Sequence, residues 1–349
     1  MLLLSIMSAP NNATAHRAIA PGILLGALGV LGFSFTLPAT KAAVADLDPM
    51  VVGLGRAVVA AALAALVLAA TRTPFPASRH WARLVLVALG VVVGFPLFST
   101  LALHRLTAAH GAVITGLLPA ATAGLAAVSA GEQPSPFFWL VCLAGLVAVL
   151  AFAAAQGAGR PQPADLLALL AVGFGALGYS QGAILARELD GWRVICWALV
   201  IALPFALPIA GLAVLRSGFA ARPPAWAGFA YVSVVSMFLA FFPWYQGLAR
   251  GGVARVSQIQ LAQPVLTFVW SWALLGEHVG GTTLLAGGAV LACAAASLRT
   301  RVRSSREPQR PWPGGDRAGD ETPPSLPVGP GVYPLARPTG HAAVTPTLL

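Results

Sequence analysis

Gly111–Glu132, GAVITGLLPAATAGLAAVSAGE, returns 145 residues later as Val256–Glu277, VSQIQLAQPVLTFVWSWALLGE. Without a gap, Arg105 falls on Arg250, Ala109 on Ala254, Pro119 on Pro264, and Gly131-Glu132 on Gly276-Glu277. A second match lies upstream at an offset of 146. There Gly29, Leu31, Gly32 and Ser34 fall on Gly175, Leu177, Gly178 and Ser180, and Lys41 falls on Arg187. The chain is internally duplicated, and weak duplication of apolar segments is a construction of membrane transporters.

Composition places the duplication in a bilayer. Of the 349 residues 58% are apolar and 9% charged, and the mean hydropathy is +0.80, well outside the range of soluble domains. Ten apolar runs follow one another: Ala18–Leu37, Met50–Ala70, Leu84–Leu103, Gly111–Ala130, Phe137–Ala155, Leu166–Leu185, Val194–Val214, Trp226–Leu248, Val256–Leu275 and Gly280–Leu298. Each is close to the ~20 residues a helix needs to cross ~30 Å of hydrocarbon. Barrel strands would instead show ~10-residue alternating segments. The reading is an all-α integral membrane protein of ten transmembrane helices, arranged as two five-helix repeats.

The expected organisation is an N-terminal segment 1–17, a first repeat 18–155, a link 156–165, a second repeat 166–303 and a tail 304–349. The opening MLLLSIM has no basic segment before it and is too short for a signal peptide, and Met7 is an alternative start. The tail holds ten prolines and six glycines in 46 residues, so it is expected to be disordered.

Orientation follows from the connections. With the N-terminus inside, the cytoplasmic links carry 11 Lys and Arg and the outer links 5, which favours cytoplasmic N- and C-termini. Five spans is an odd number, so the second repeat enters the membrane the opposite way round from the first, giving inverted repeats.

The net charge of +10 is confined to residues 1–303, with 17 Lys and Arg against 7 Asp and Glu; the tail carries four of each. These arginines punctuate apolar runs and set orientation, and no nucleic-acid-reading motif is present. Cys142, Cys196 and Cys293 lie apart within apolar runs, in no CxxC or Cys/His cluster, and read as buried small hydrophobes. No metal or organic cofactor is implied.

Two repeats ending in Gly-Glu, each with a mid-run proline and an Arg-containing link before it, with ten runs overall, resemble the EamA-like family of the drug/metabolite transporter superfamily. The likeness covers residues 18 to 303. It implies a ten-helix inverted-repeat bundle in the cell membrane, with both ends cytoplasmic and a central cavity lined by both halves. It further implies movement of a small metabolite or drug by alternating access, and many relatives export amino acids or other polar metabolites. Relatives usually place an acidic residue just before the second proline. Here that residue is Gln263, so a carboxylate role there does not carry over.

Several residues are candidates for the substrate site. Arg56 is the one charge well within a run, about 9 Å along its helix at 1.5 Å per residue. Such a charge needs a partner. It either anchors a substrate carboxylate or phosphate, or serves structure by binding helix-end carbonyls, Asp46 or Asp48, or by snorkelling outward. Pro119 and Pro264 each free a carbonyl one turn earlier, tolerated where it faces protein or a water-filled cavity. Gln260 and Gln263 share a helical face and are the choice for the cavity, with Gln258 off that face; interhelical bonding is the alternative. Tyr179 and Gln181 in the sixth run, and Trp244 and Tyr245 in the eighth, supply aromatic and amide groups for a polar ligand. Glu132 and Glu277 are read as turn or capping elements. His104 and His110, flanking Arg105, are read as solvated link residues.

A transporter accounts for the duplication, the odd span number per repeat, the paired prolines and the scarcity of catalytic groups. An enzyme would need an acid/base pair, a nucleophile or a metal set within the runs, and none is visible. Multidrug efflux, and a sensor or scaffold signalling through the tail, are the alternatives. None of the eleven acids lies well inside a run, which favours neutral, zwitterionic or anionic metabolites over lipophilic cations. The implied partners are the lipid bilayer and a small-molecule substrate, with a homo-oligomer left open.

Overall fold

The structure is a computed structural model and describes residues 12–129, 135–156, 162–251 and 256–299. The described residues are helical or in links, with no strand among them, and they lie within the unit Met1–Ser305. The tail, Glu132 and the link region 157–161 lie outside the described residues.

Among the described residues, ten helices correspond to the ten runs. In the first half these are α1 (Asn12–Ser34, continued as Thr36–Ala43), α2 (Pro49–Ala70), α3 (Ser78–Arg105), α4 (Ala108–Ser129) and α5 (Pro136–Gln156). In the second they are α6 (Pro163–Leu185), α7 (Gly191–Ser217), α8 (Pro223–Gly251), α9 (Ile259–Leu275) and α10 (Gly281–Arg299). Seven are long and apolar enough to cross a membrane; the apolar stretches of α5, α9 and α10 are shorter.

Local chemistry sets several boundaries. Asp48 accepts from the amides of Met50 and Val51 at 2.8 and 3.4 Å, with Pro49 at the first helical position, so α2 begins there. Pro163 and Pro223 open α6 and α8 in the same way. Gly276 ends α9 at φ +63°, a conformation that strains a side-chain-bearing residue.

The third helix of each repeat contains a π-helical stretch, Ala88–Gly94 in α3 and Tyr231–Leu239 in α8. Both lie where a helix of the opposite repeat crosses closely. A Cβ on Gly90 would sit 2.5 Å from the amide nitrogen of Gly178 on α6, and one on Gly32 of α1 would sit 2.8 Å from the Cβ of Ala240 on α8. Gly32 and Gly178 are duplicate positions, so each repeat lays its first helix against the other repeat's third. Their carbonyls each accept a phenol, from Tyr231 at 3.1 Å and from Tyr245 at 3.2 Å. Small residues allow this approach, which carries helix association where lipid is as apolar as protein. Leucines 24, 28, 31, 66, 140 and 143 point outward, as lipid-facing positions do.

The ends are tied pairwise. Arg222, before α8, grips Asp46, after α1, through its guanidinium at 2.8 Å and its backbone amide at 3.0 Å. Glu188, after α6, contacts His80 at 2.9 Å and Arg79 at 3.5 Å at the start of α3. The two clasps join equivalent links of the two repeats. Hydrogen bonds from Arg222 and from His80 hold the Asp46 and Glu188 carboxyls below the usual carboxylate range.

Glu277 does cap a helix, although one in the opposite repeat. Its two oxygens accept from the amides of Ala108 and Ala109 at 2.9 and 3.0 Å, closing the first turn of α4. His110 departs from the sequence reading. It is buried within α4, its Nε2 lies 2.8 Å from Asp165 Oδ1, and its ring meets Phe152 edge-on at 4.8 Å. The helix begins at Ala108, so His110 sits inside the bundle and not in the solvated link, whereas His104 is exposed. Asp165, 1% exposed, also accepts from the Gln162 amide at 2.6 Å. It is thus a buried acid in the first turn of α6, one that the run boundary at Leu166 left out.

Candidate substrate cavity

Between the repeats lies a cavity walled by α1, α2, α3, α4, α6, α8 and α9. It holds about 460 Å³ of space between atoms, so divided by side chains that a water-sized molecule fits and a metabolite does not. A metabolite enters only if helices part. A larger recess between α4, α5 and α6, about 1090 Å³, has aliphatic walls such as Leu117, Leu125, Leu146 and Leu169 and opens outward, where acyl chains lie. Its size carries no chemistry, and the smaller inner cavity has the polar groups.

The duplicate positions face each other in this cavity. Phe33 and Tyr179 are equivalent at the offset of 146, and their rings lie 6.1 Å apart. Val91 and Ser236, and Pro96 and Phe241, are equivalent at the offset of 145 and also line it. Phe241 meets Phe33 edge-on at 4.9 Å and Tyr179 at 6.1 Å, forming an aromatic wall. Thr36 and Ser236 share a hydrogen bond of 2.7 Å across the two repeats, and the Thr115 hydroxyl donates to the Gly111 carbonyl at 3.0 Å.

Arg56 enters this space from α2. It is 1% exposed and neither snorkels outward nor finds Asp46 or Asp48, which are engaged with Arg222 and the start of α2. Its terminal nitrogens approach three hydroxyls, Thr40 at 3.5 Å, Ser99 at 3.4 Å and Thr100 at 3.3 Å. Charge-assisted bonds are usually 2.7–2.9 Å, so these are weak, and Nε has no partner among the described residues. No carboxylate pairs with it among the described residues.

Of the sequence candidates, the cavity brings together Arg56, Tyr179 and Gln263. The Oε1 of Gln263 has no partner among the described residues. Gln260 is also buried and lies beside the Tyr179 phenol. It lies on a 3₁₀ turn, Ser257–Leu261, so the α-helical face assigned to the pair does not hold in that stretch. The Gln258 side chain lies outside the described residues. Pro264 lies in the first turn of the α-helical stretch that begins at Ala262 after this 3₁₀ turn. Pro119 lies in the first turn of the stretch that begins at Leu118 after a break following Thr115, so both prolines mark breaks at matching points.

The remaining candidates sit in the packing around the cavity. Trp244 is buried against Phe33 and Tyr179, Tyr245 binds the Gly178 carbonyl, and Gln181 donates to the Ser129 hydroxyl at 3.1 Å. Sequence reading missed Phe33, Phe241, Thr36, Ser236 and the hydroxyls around Arg56. Phe33 was findable, since it stands at the duplicate of Tyr179. The Thr40, Ser99 and Thr100 hydroxyls gave no pattern, because they come from two helices at unrelated spacings.

A model of the EamA-like transporter family matches residues 20–154 and again residues 162–299. YdeK of Bacillus subtilis (strain 168), an uncharacterized transporter, is 43% identical over 278 residues, covering 80% of this chain and 97% of that protein. A solved crystal structure superposes with a TM-score of 0.53 at 20% identity over 80% of this chain and 96% of its own, a likeness of fold alone.

Proposed function

The chain belongs to the EamA-like transporter family and is a multi-pass membrane transporter, and on that premise we propose that it exports small polar metabolites by alternating access through the cavity between its repeats. Such metabolites are amino-acid-like solutes, whether neutral, zwitterionic or anionic. The observation that carries the proposal is the cavity at the repeat interface, lined by equivalent positions of both halves and holding a buried guanidinium. A site shared by two pseudosymmetric halves can open to either side as one half rocks against the other. The membrane is the cell membrane and both termini are cytoplasmic, in line with the excess of Lys and Arg in the links on that side.

The test expresses wild type, Arg56→Ala and an empty vector in one host and compares the solutes released into the medium by untargeted mass spectrometry. Release of a class of small polar solute by the wild type, lost in the variant at equal membrane expression, is the expected result. Faster disappearance of a solute from the medium would instead make the protein an importer, and no change in any solute would remove the exporter reading.

A further inference from the structure

The charge balance of the cavity narrows the substrate. We propose that the occupant is a small monocarboxylate anion with an apolar or aromatic body and a hydroxyl, in preference to a zwitterionic amino acid or an amine. This rests on the cavity being the transport site.

A guanidinium buried in the membrane without a carboxylate is costly unless an anion joins it. Among the described residues Arg56 has three distant hydroxyls and an unpartnered Nε, so its fork has donors to spare in the geometry a carboxylate takes bidentately. The ammonium of an amino acid would find no second charge. Among the described residues no acid lines the cavity, so an ammonium would meet only neutral oxygens, those of Thr36, Ser236, Thr115 and Gln263, which do not replace a countercharge. Ring faces attract a cation, but by less than its lost hydration. What the cavity does offer is the unpartnered Gln263 oxygen, a neutral acceptor suited to a hydroxyl. Phe33, Phe95 and Phe241 supply the wall for the apolar body.

The test uses the full-length protein in proteoliposomes and follows counterflow of 3-phenyllactate, 3-phenylpropionate, phenylalanine and phenethylamine. These probes vary the hydroxyl, the ammonium and the carboxylate on one skeleton. The wild type is expected to move 3-phenyllactate fastest, with phenethylamine, which lacks the carboxylate for Arg56, and phenylalanine, whose ammonium meets no acid in the cavity, slower by about tenfold or more. Arg56→Gln should lower 3-phenyllactate counterflow by a similar factor, and Gln263→Leu should erase the preference for 3-phenyllactate over 3-phenylpropionate. Should Arg56→Gln fail to assemble, the wild-type ranking and Gln263→Leu decide the matter. Phenylalanine or phenethylamine moving as fast as 3-phenyllactate overturns the proposal, as does counterflow indifferent to Arg56, or no counterflow of 3-phenyllactate at all. Release of other solutes in the cell experiment would then leave the exporter reading standing, whereas silence in both would remove both.

Discussion

Replacing Glu277 with alanine tests whether the two repeats are held together through a helix end. The carboxylate spans the amides of Ala108 and Ala109 at 2.9 and 3.0 Å, two of the four donors that open α4 without an intrahelical partner. Thr107 satisfies a third, that of His110, at 3.1 Å. Loss of a capping side chain costs about 0.5–2 kcal/mol, and loss of a negative charge at a helix start about 0.3–1 kcal/mol more. The half-buried position puts Glu277→Ala near 2 kcal/mol, about a 4–8 °C fall in unfolding temperature by the scaling for domains of this order. Glu277→Gln keeps one acceptor but turns its amide donors toward the second N–H, so its loss should fall between wild type and alanine. Tryptophan fluorescence during heating in detergent reads both, with Thr107→Ala measured beside them. Glu277→Ala unfolding within about 1 °C of wild type, while Thr107→Ala falls by its own cap value of about 1 kcal/mol, would refute the inter-repeat cap.

Gly90→Ala should prevent assembly, since its Cβ would meet the Gly178 backbone at 2.5 Å, whereas Gly173→Ala, with nothing within 4 Å, should assemble and gain up to about 1 kcal/mol of helix propensity; fluorescence-detected size exclusion separates them. Asp165→Ala leaves His110 buried without its partner and should cost about 3 kcal/mol, with His110→Phe in the same chain recovering part of the loss in thermal melts. The Glu188 carboxyl is held low chiefly by His80, so its contribution is present above the ordinary carboxylate value and is lost as pH falls through the lowered one. The melting difference between wild type and Glu188→Gln should therefore be present at pH 7 and vanish well below about pH 4; a difference that persists in acid would contradict this.

Much of the bundle was legible because a bilayer leaves few choices. Apolar runs of spanning length must satisfy their own backbone and so must be helices, and a duplication with five runs per copy must invert. The same duplication aligned Pro119 with Pro264 and Gly32 with Gly178, and these proved to be matching helix breaks and matching close crossings. His110 misled because the helix start, and not residue type, decides whether an imidazole meets water or a buried acid. The π stretches of α3 and α8 and the 3₁₀ turn before Pro264 had no periodic signature, since they bend locally to neighbours that sequence spacing does not specify.

From sequence alone came helix number, inversion, and Arg56 as a charge requiring explanation, because burial in lipid penalises unpaired polar groups wherever the chain folds. Tertiary structure alone decided which partner each polar group found. Asp46 went to Arg222, Glu277 to the start of α4, Asp165 to His110, and Arg56 to a cavity with no acid among its described lining residues. Those pairings depend on contacts between residues up to 176 positions apart, brought together by interlocking of the two repeats. An electrostatic partner is chosen by distance in space, to which spacing along the chain is blind.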